Sequence, residues 1–219
     1  MSSPFIAPII ANSRICVIDC EATSVIQTTS ELLQIALVQV DYGKVGIRAQ
    51  VHIKPRKPIP PASTAIHGIT DARVARSRAF NEVAGDIVGI IGERILLGYN
   101  VASFDYPMLR RNLRNLGVDE WERSVIDLFP IMKRLDPNKT KTKGYHKLGT
   151  VARRHGIDPG REHDAFDDVR TAWQLFELLA ANHPEIANMT PPTIAPVPSP
   201  ARAQADLDEE LRHEDEDAE

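Results

Sequence analysis

The chain of 219 residues predicts an α/β fold: a mixed five-stranded sheet, an antiparallel three-strand meander and then parallel strands, flanked by helices. Three observations carry this. Short apolar runs at residues 14–19, 32–40 and 45–53 lie close enough in sequence to pair as a meander. Residues 79–91 then show apolar side chains at helical spacing: Phe80, Val83, Ile87, Ile90 and Ile91. Two further brief apolar runs, 95–98 and 124–127, are each followed by a helical pattern, the alternation that right-handed crossovers require.

Each element has a local reason. Residues 14–19, Arg-Ile-Cys-Val-Ile-Asp, read as a strand buried on both faces. Asp41-Tyr42-Gly43-Lys44 supplies turn chemistry between the second and third strands. Residues 54–61 hold Pro55, Pro58, Pro60 and Pro61, which suit neither helix nor central strand. The helix over 79–91 is predicted despite Gly85 and Gly89. Ser103 is a fair N-cap for a helix running to Leu116, which Gly117 ends. The strand 124–127 leads into a helix through Leu135, and residues 147–155 and 164–181 form the last two helices, the second capped by Asp164. Beyond Met189 the character changes. Pro191, Pro192, Pro196, Pro198 and Pro200 are followed by an acidic run. The predicted organisation is an N-terminal extension (1–12), one domain (13–182), and a Pro-rich linker with an acidic, disordered tail (183–219).

Hydrophobic content of 42% and charged content of 26% are ordinary for a soluble globular protein. No apolar run approaches the roughly 18 residues of a membrane helix, and no basic residue precedes the apolar start as in a signal peptide. Cys16 and Cys20 point the same way from one strand and lie too far apart to bridge. This predicts free thiols, a reducing cytoplasmic compartment and no structural zinc. The net charge of −4 conceals segregation, because residues 190–219 carry nine acids and two bases. Residues 1–189 then hold 24 Lys and Arg against 21 Asp and Glu, about +3, compatible with a polyanionic partner.

Three separated pieces carry chemistry. Asp19 and Glu21 are two apart at a strand end, so both side chains take one face while Cys20 takes the other. Two such carboxylates repel unless one holds a proton or they share a cation, and oxygen ligands suit Mg²⁺ or Mn²⁺. Asp105 falls in the first turn of a helix after a buried strand, where a solitary acid commonly serves the helix dipole. His163 precedes a helix that contains Asp168; an imidazole there titrates near neutrality and can accept a proton from water. Asp167 is the neighbour set aside in favour of Asp168.

The ordered set resembles the DEDDh (DnaQ-like) 3′–5′ exonucleases over roughly residues 13–182. Asp19 and Glu21 match the first motif, Asp105 the second, and His163 with Asp168 the His-x-Ala-x-x-Asp third motif. Ala65-Ile-His-Gly-Ile-Thr70 is similar to the segment that lies beside the 3′-terminal nucleotide in that family. The resemblance implies an RNase H-like fold and removal of nucleoside 5′-monophosphates from a free 3′ end. It implies two divalent cations, Mg²⁺ or Mn²⁺, on Asp19, Glu21, Asp105 and Asp168, with His163 as general base.

Other residues are expected in lesser roles. Thr23, Ile66, His67 and Asn100 are candidates to bind the terminal nucleotide or fix its loops, and Lys139, Lys141, Lys143 and Lys147 to follow the phosphate backbone. Ala22 replaces the first hydroxyl of the family's usual Asp-x-Glu-Thr-Thr-Gly, as in RNA-trimming relatives. DNA is the favoured substrate, in proofreading or repair, with a DNA polymerase as a possible partner through the tail. The alternatives are RNA 3′-end trimming, an oligoribonuclease-type enzyme, and a catalytically silent nucleic-acid-binding module.

Overall fold

A computed structural model describes residues 6–26, 29–119, 121–136 and 144–194. The meander forms as expected from β1 (Arg14–Ala22), β2 (Leu32–Asp41) and β3 (Lys44–His52). The parallel strands β4 (Ile95–Gly98) and β5 (Arg123–Asp127) follow, and a two-residue strand β6 (Thr193–Ile194) adds a sixth position. The order across the sheet is β3-β2-β1-β4-β5-β6. β1 pairs antiparallel with β2, Asp19 opposite Ala36, and parallel with β4, Ile15 opposite Ile95. β4 and β5 are parallel, with Gly98 opposite Asp127.

β1 is central, and its alternation sorts the core into two layers. Ile15 and Val17 pack on one face with Val169, Ala172 and Phe176 of α8 (Ala165–Asn182). Cys16, Ile18 and Cys20 pack on the other with Val83 and Ile87 of α4 (Phe80–Ile91) and Met108 and Leu109 of α5 (Asp105–Arg114). Both cysteines are free and buried. Asp19 and Glu21 share the α8 side by the same parity. The register of β1 against β2 shifts between Glu21 and Ala22, which ends regular pairing where the acids stand.

Several local expectations change. Helix α5 begins at Asp105, with Phe104 rather than Ser103 at its N-cap position and no side-chain cap. Asn100 takes φ 65°, and its carbonyl accepts both Ser103 N–H and Phe104 N–H at 3.1 Å, so Ser103 belongs to the turn. The helix stops at Arg114, and Gly117 at φ 83° closes the turn beyond it. Pro61, placed by sequence in a connector, opens α2 (Pro61–His67), because proline at the first helical position loses no hydrogen bond. A short α3 (Asp71–Val74) follows, its N-cap Thr70 accepting from Arg73 N–H. Helices α6 (Leu128–Leu135) and α7 (Leu148–Arg154) complete the path to α8.

The sequence boundaries at 12 and 182 cut through the core. Within the expected N-terminal extension, α1 (Pro8–Ala11) buries Ile9 and Ile10. Within the expected linker, α9 (Pro184–Ala187) buries Ile186 and Ala187, and α1 packs against it. Proline-rich composition masked these pieces, since Pro8 and Pro184 each sit at a helix start where the ring is tolerated. The acidic run expected to be disordered lies outside the described residues. Among the described residues, no helix is long and apolar enough to cross a membrane.

Candidate active site

The carboxyl ends of β1, β4 and β5 meet at one edge of the sheet, the edge where open α/β sheets present their ligands. β1 delivers Asp19 and Glu21 there. The loop after β4 delivers Asp105. Its path depends on Gly98, where a Cβ would stand 2.7 Å from the Ile18 carbonyl oxygen and 2.9 Å from Val101 Cβ. Asp127, at the end of β5, holds that loop by its backbone. Its carboxylate accepts Asn100 N–H at 2.8 Å and Ala102 N–H at 3.1 Å, besides capping α6 through Phe129 N–H at 2.9 Å.

Asp105 is only 2% exposed. Its Oδ1 accepts the Cys20 N–H at 2.8 Å, which fastens α5 to the strand between the two β1 acids. Asp168 faces them from the first turn of α8, and its Oδ2 accepts the His163 N–H at 3.1 Å. Asp164 caps α8 as predicted, through Phe166 N–H at 3.1 Å. His163 is exposed and has φ 63°, a left-handed conformation that a histidine adopts only in a tightly determined loop. Asp167 turns away, accepting Arg161 N–H at 3.0 Å and pairing with Arg170 at 3.2 Å.

Ligand atoms of Glu21, His163 and Asp168 lie within 4.8 Å of one another. Asp19 and Asp105 line the same cleft without joining that closest group. Electrostatics bind all four acids together. Burial pushes Asp19 well up, and Asp105, Asp168 and Glu21 add repulsion. Burial, then Asp168 and Asp105, raise Glu21 to about 8. Burial raises Asp168 to about 7, against the pull of the His163 amide. Asp105 is raised by burial and held back by the Cys20 amide. Four crowded carboxylates have two ways to relieve this: bind protons or share cations. The donor set is hard oxygen with one exposed imidazole at its edge, which fits a hard divalent cation.

The cleft has two lobes that share Asp19, Tyr99, Asn100, His163 and Asp168. One, of about 520 Å³, is lined by Ala22, Val25, Ile66, His67, Phe104 and the acids Glu21 and Asp105. Ile66 is exposed into it. His67 accepts Ile69 N–H on Nδ1 at 3.0 Å, and burial lowers its pKa. Thr23 does not join the lobe. Its hydroxyl accepts Glu31 N–H at 2.9 Å and its carbonyl accepts the Ser63 hydroxyl at 2.5 Å, so it closes a turn instead. The other lobe, of about 600 Å³, brings in Phe129, Lys133, Tyr145, His146, Lys147 and Glu162. Of these only Lys147 was singled out from sequence; Lys139, Lys141 and Lys143 lie outside the described residues. Asp127 and Tyr145 belong to no sequence motif: Asp127 reaches the distant loop after β4, and Tyr145 meets Asp136 and Arg154 only across the ends of two different helices.

The sheet and its flanking helices form an RNase H-like fold, and solved structures share that fold. The zinc-bound E. coli exonuclease I–single-stranded DNA complex superposes with a TM-score of 0.71 at 21% identity, covering 80% of this chain and 42% of that one. The RNase_T exonuclease profile matches residues 16–176, and the chain belongs to that exonuclease family, of DEDDh-like 3′–5′ type. It is 31% identical over 165 residues to the PolC-type DNA polymerase III of Thermotoga petrophila, covering 75% of this chain and 12% of that protein. It is 26% identical over 165 residues to the DNA polymerase III subunit epsilon of Treponema pallidum, covering 75% of each. The chain thus spans a small fraction of the PolC-type relatives it matches.

Proposed function

We propose that the protein is a metal-dependent 3′–5′ exonuclease that releases nucleoside 5′-monophosphates, with DNA as its substrate. The observation that carries this is the convergence of Asp19, Glu21, Asp105 and Asp168 beside an exposed His163 in one open cleft. The four carboxylates would hold two divalent cations, Mg²⁺ or Mn²⁺. Bound there, the cations supply charge to offset the phosphate and the departing oxygen. The chain's own part is positional and acid–base. The cleft seats the scissile phosphate over the acids, and His163 takes the proton from the attacking water. The water oxygen forms a bond to phosphorus, the bond from phosphorus to the upstream 3′ oxygen breaks, and that oxygen leaves as a hydroxyl after taking a proton from solvent.

DNA is supported by the names of the relatives, DNA polymerase III of PolC type and its epsilon subunit. A polymerase partner engaged through residues 195–219 belongs to the same proposal. The test is release of 5′-mononucleotides from matched single-stranded DNA, mispaired duplex DNA and RNA at equal salt, with and without a chelator. His163→Asn tolerates the left-handed backbone and removes the base; it is expected to lower kcat about 10²- to 10⁴-fold. Unchanged turnover in both His163→Asn and Asp105→Asn would overturn the mechanism, and a wild type that releases no mononucleotide would leave only a binding module.

A further inference from the structure

The two lobes differ in charge as well as in lining. Among the described residues, no lysine or arginine lines the lobe of Ile66, His67 and Phe104. The second lobe is lined by Lys133 and Lys147, both exposed. Among the described residues, its one acid outside the shared set is Glu162, which is paired with Arg153. A strand broken at its last phosphodiester has unequal halves. The terminal nucleoside carries no phosphate beyond its 3′ hydroxyl, whereas the nucleotide on the other side continues into a charged backbone. Cations are useful on that side alone.

The second lobe also has a fixed aromatic wall. Tyr145 donates its hydroxyl to Asp136 at 2.6 Å, and the Arg154 guanidinium lies 3.6 Å from its ring centroid. Tyr145 lines both this lobe and the small cavity that Arg154 also lines. The Tyr99 hydroxyl donates to the His146 carbonyl at 2.5 Å and ties the segment that carries Tyr145 to the end of β4. A ring held in this way can receive a base with little ordering cost.

We propose that the lysine-bearing lobe binds the nucleotide immediately 5′ of the scissile phosphate, with Tyr145 stacking on its base and Lys133 and Lys147 holding its backbone phosphates. This rests on the exonuclease reading and names the residues that would hold the strand beyond the terminal nucleotide. The test uses the full chain with Mg²⁺ and a single-stranded DNA oligonucleotide, or matched RNA if only RNA is hydrolysed. Two further oligonucleotides carry one abasic residue each, at the penultimate or at the terminal position. Tyr145→Ala is expected to lower kcat/KM on the intact strand about 10- to 100-fold, mainly through KM, the range of a lost base–aromatic stack. The penultimate abasic strand should cost the wild type a similar factor, and the two losses should not multiply, because both remove one contact. On the terminal abasic strand they should multiply. Tyr145→Phe keeps the ring and should recover most of the loss. The double variant Lys133→Ala, Lys147→Ala should flatten the dependence of log kcat/KM on log salt. Multiplying losses on the penultimate strand, or merging losses on the terminal one, overturn the assignment. A wild type inert on every strand overturns the exonuclease reading itself.

Discussion

Glu21 and Asp168 show what single residues contribute and what they cost. Both carboxyls are raised toward neutrality, to about 8 and about 7, by burial first and by neighbouring acids second. A raised carboxyl binds its proton more tightly in the folded chain than in the unfolded one. Its stabilising contribution is therefore complete below the unfolded values, 4.5 for Glu21 and 3.8 for Asp168, and is lost as pH climbs from there through about 7 and about 8. In chelator, Tm should fall between pH 5 and pH 9. Added Mg²⁺ should raise Tm more at pH 8 than at pH 5, because cations then compete with fewer protons. Glu21→Gln mimics the protonated form and should flatten the chelated pH profile. Calorimetry across that range is the check, and a Tm that rises with pH in chelator would refute the crowding described here.

At the scale of elements, the site depends on how the loop after β4 is held. Asp127 provides two acceptors to that loop, at Asn100 and Ala102, and Asp105 follows three residues later. Asp127→Ala leaves both amides unpaired and is expected to cost about 1.5–3 kcal/mol for each charge-assisted bond. Asp127→Asn retains an acceptor on Oδ1 and should fall between. Amide hydrogen exchange at Asn100 and Ala102 reads the effect directly, and unchanged protection in Asp127→Ala would remove Asp127 from this role. The contrast with Asp105 explains how much of the site was legible in the sequence. Asp19, Glu21, Asp105, His163 and Asp168 sit at strand ends and helix starts, positions that local pattern locates. Thr23 stands outside the cleft lining because its hydroxyl accepts the Glu31 amide across a turn whose closure no spacing rule reveals. Asp127 and Tyr145 act through contacts that exist only once β4, β5 and α7 are assembled. Ser103 failed as an N-cap for the same reason: Asp127 holds the preceding loop in a turn that delays the helix by one residue.

For the whole molecule, the meander, the parallel strands and the two-faced core follow from period-two and helical patterning. The edges of the domain do not, because composition describes a segment's average and not its docking. Residues 183–194 read as the start of a proline-rich linker, yet Ile186 is 1% exposed within the core that α1 and α8 build, and Thr193 pairs with Ser124. Burial of one isoleucine is worth about 1.5–3 kcal/mol. For a domain of this size each kcal/mol corresponds to roughly 2–4 °C in Tm. A chain ending at Asn182 loses Ile186, Ala187 and the cover over Ile9 and Ile10, and should melt about 5–15 °C lower on that scale. A chain ending at residue 194 keeps every one of these contacts and should melt with the full-length protein. Equal Tm for all three chains would restore the boundary at 182. A loss confined to the shortest would place the end of the folded domain after β6, with the acidic run dispensable for folding and left for whatever partner it serves.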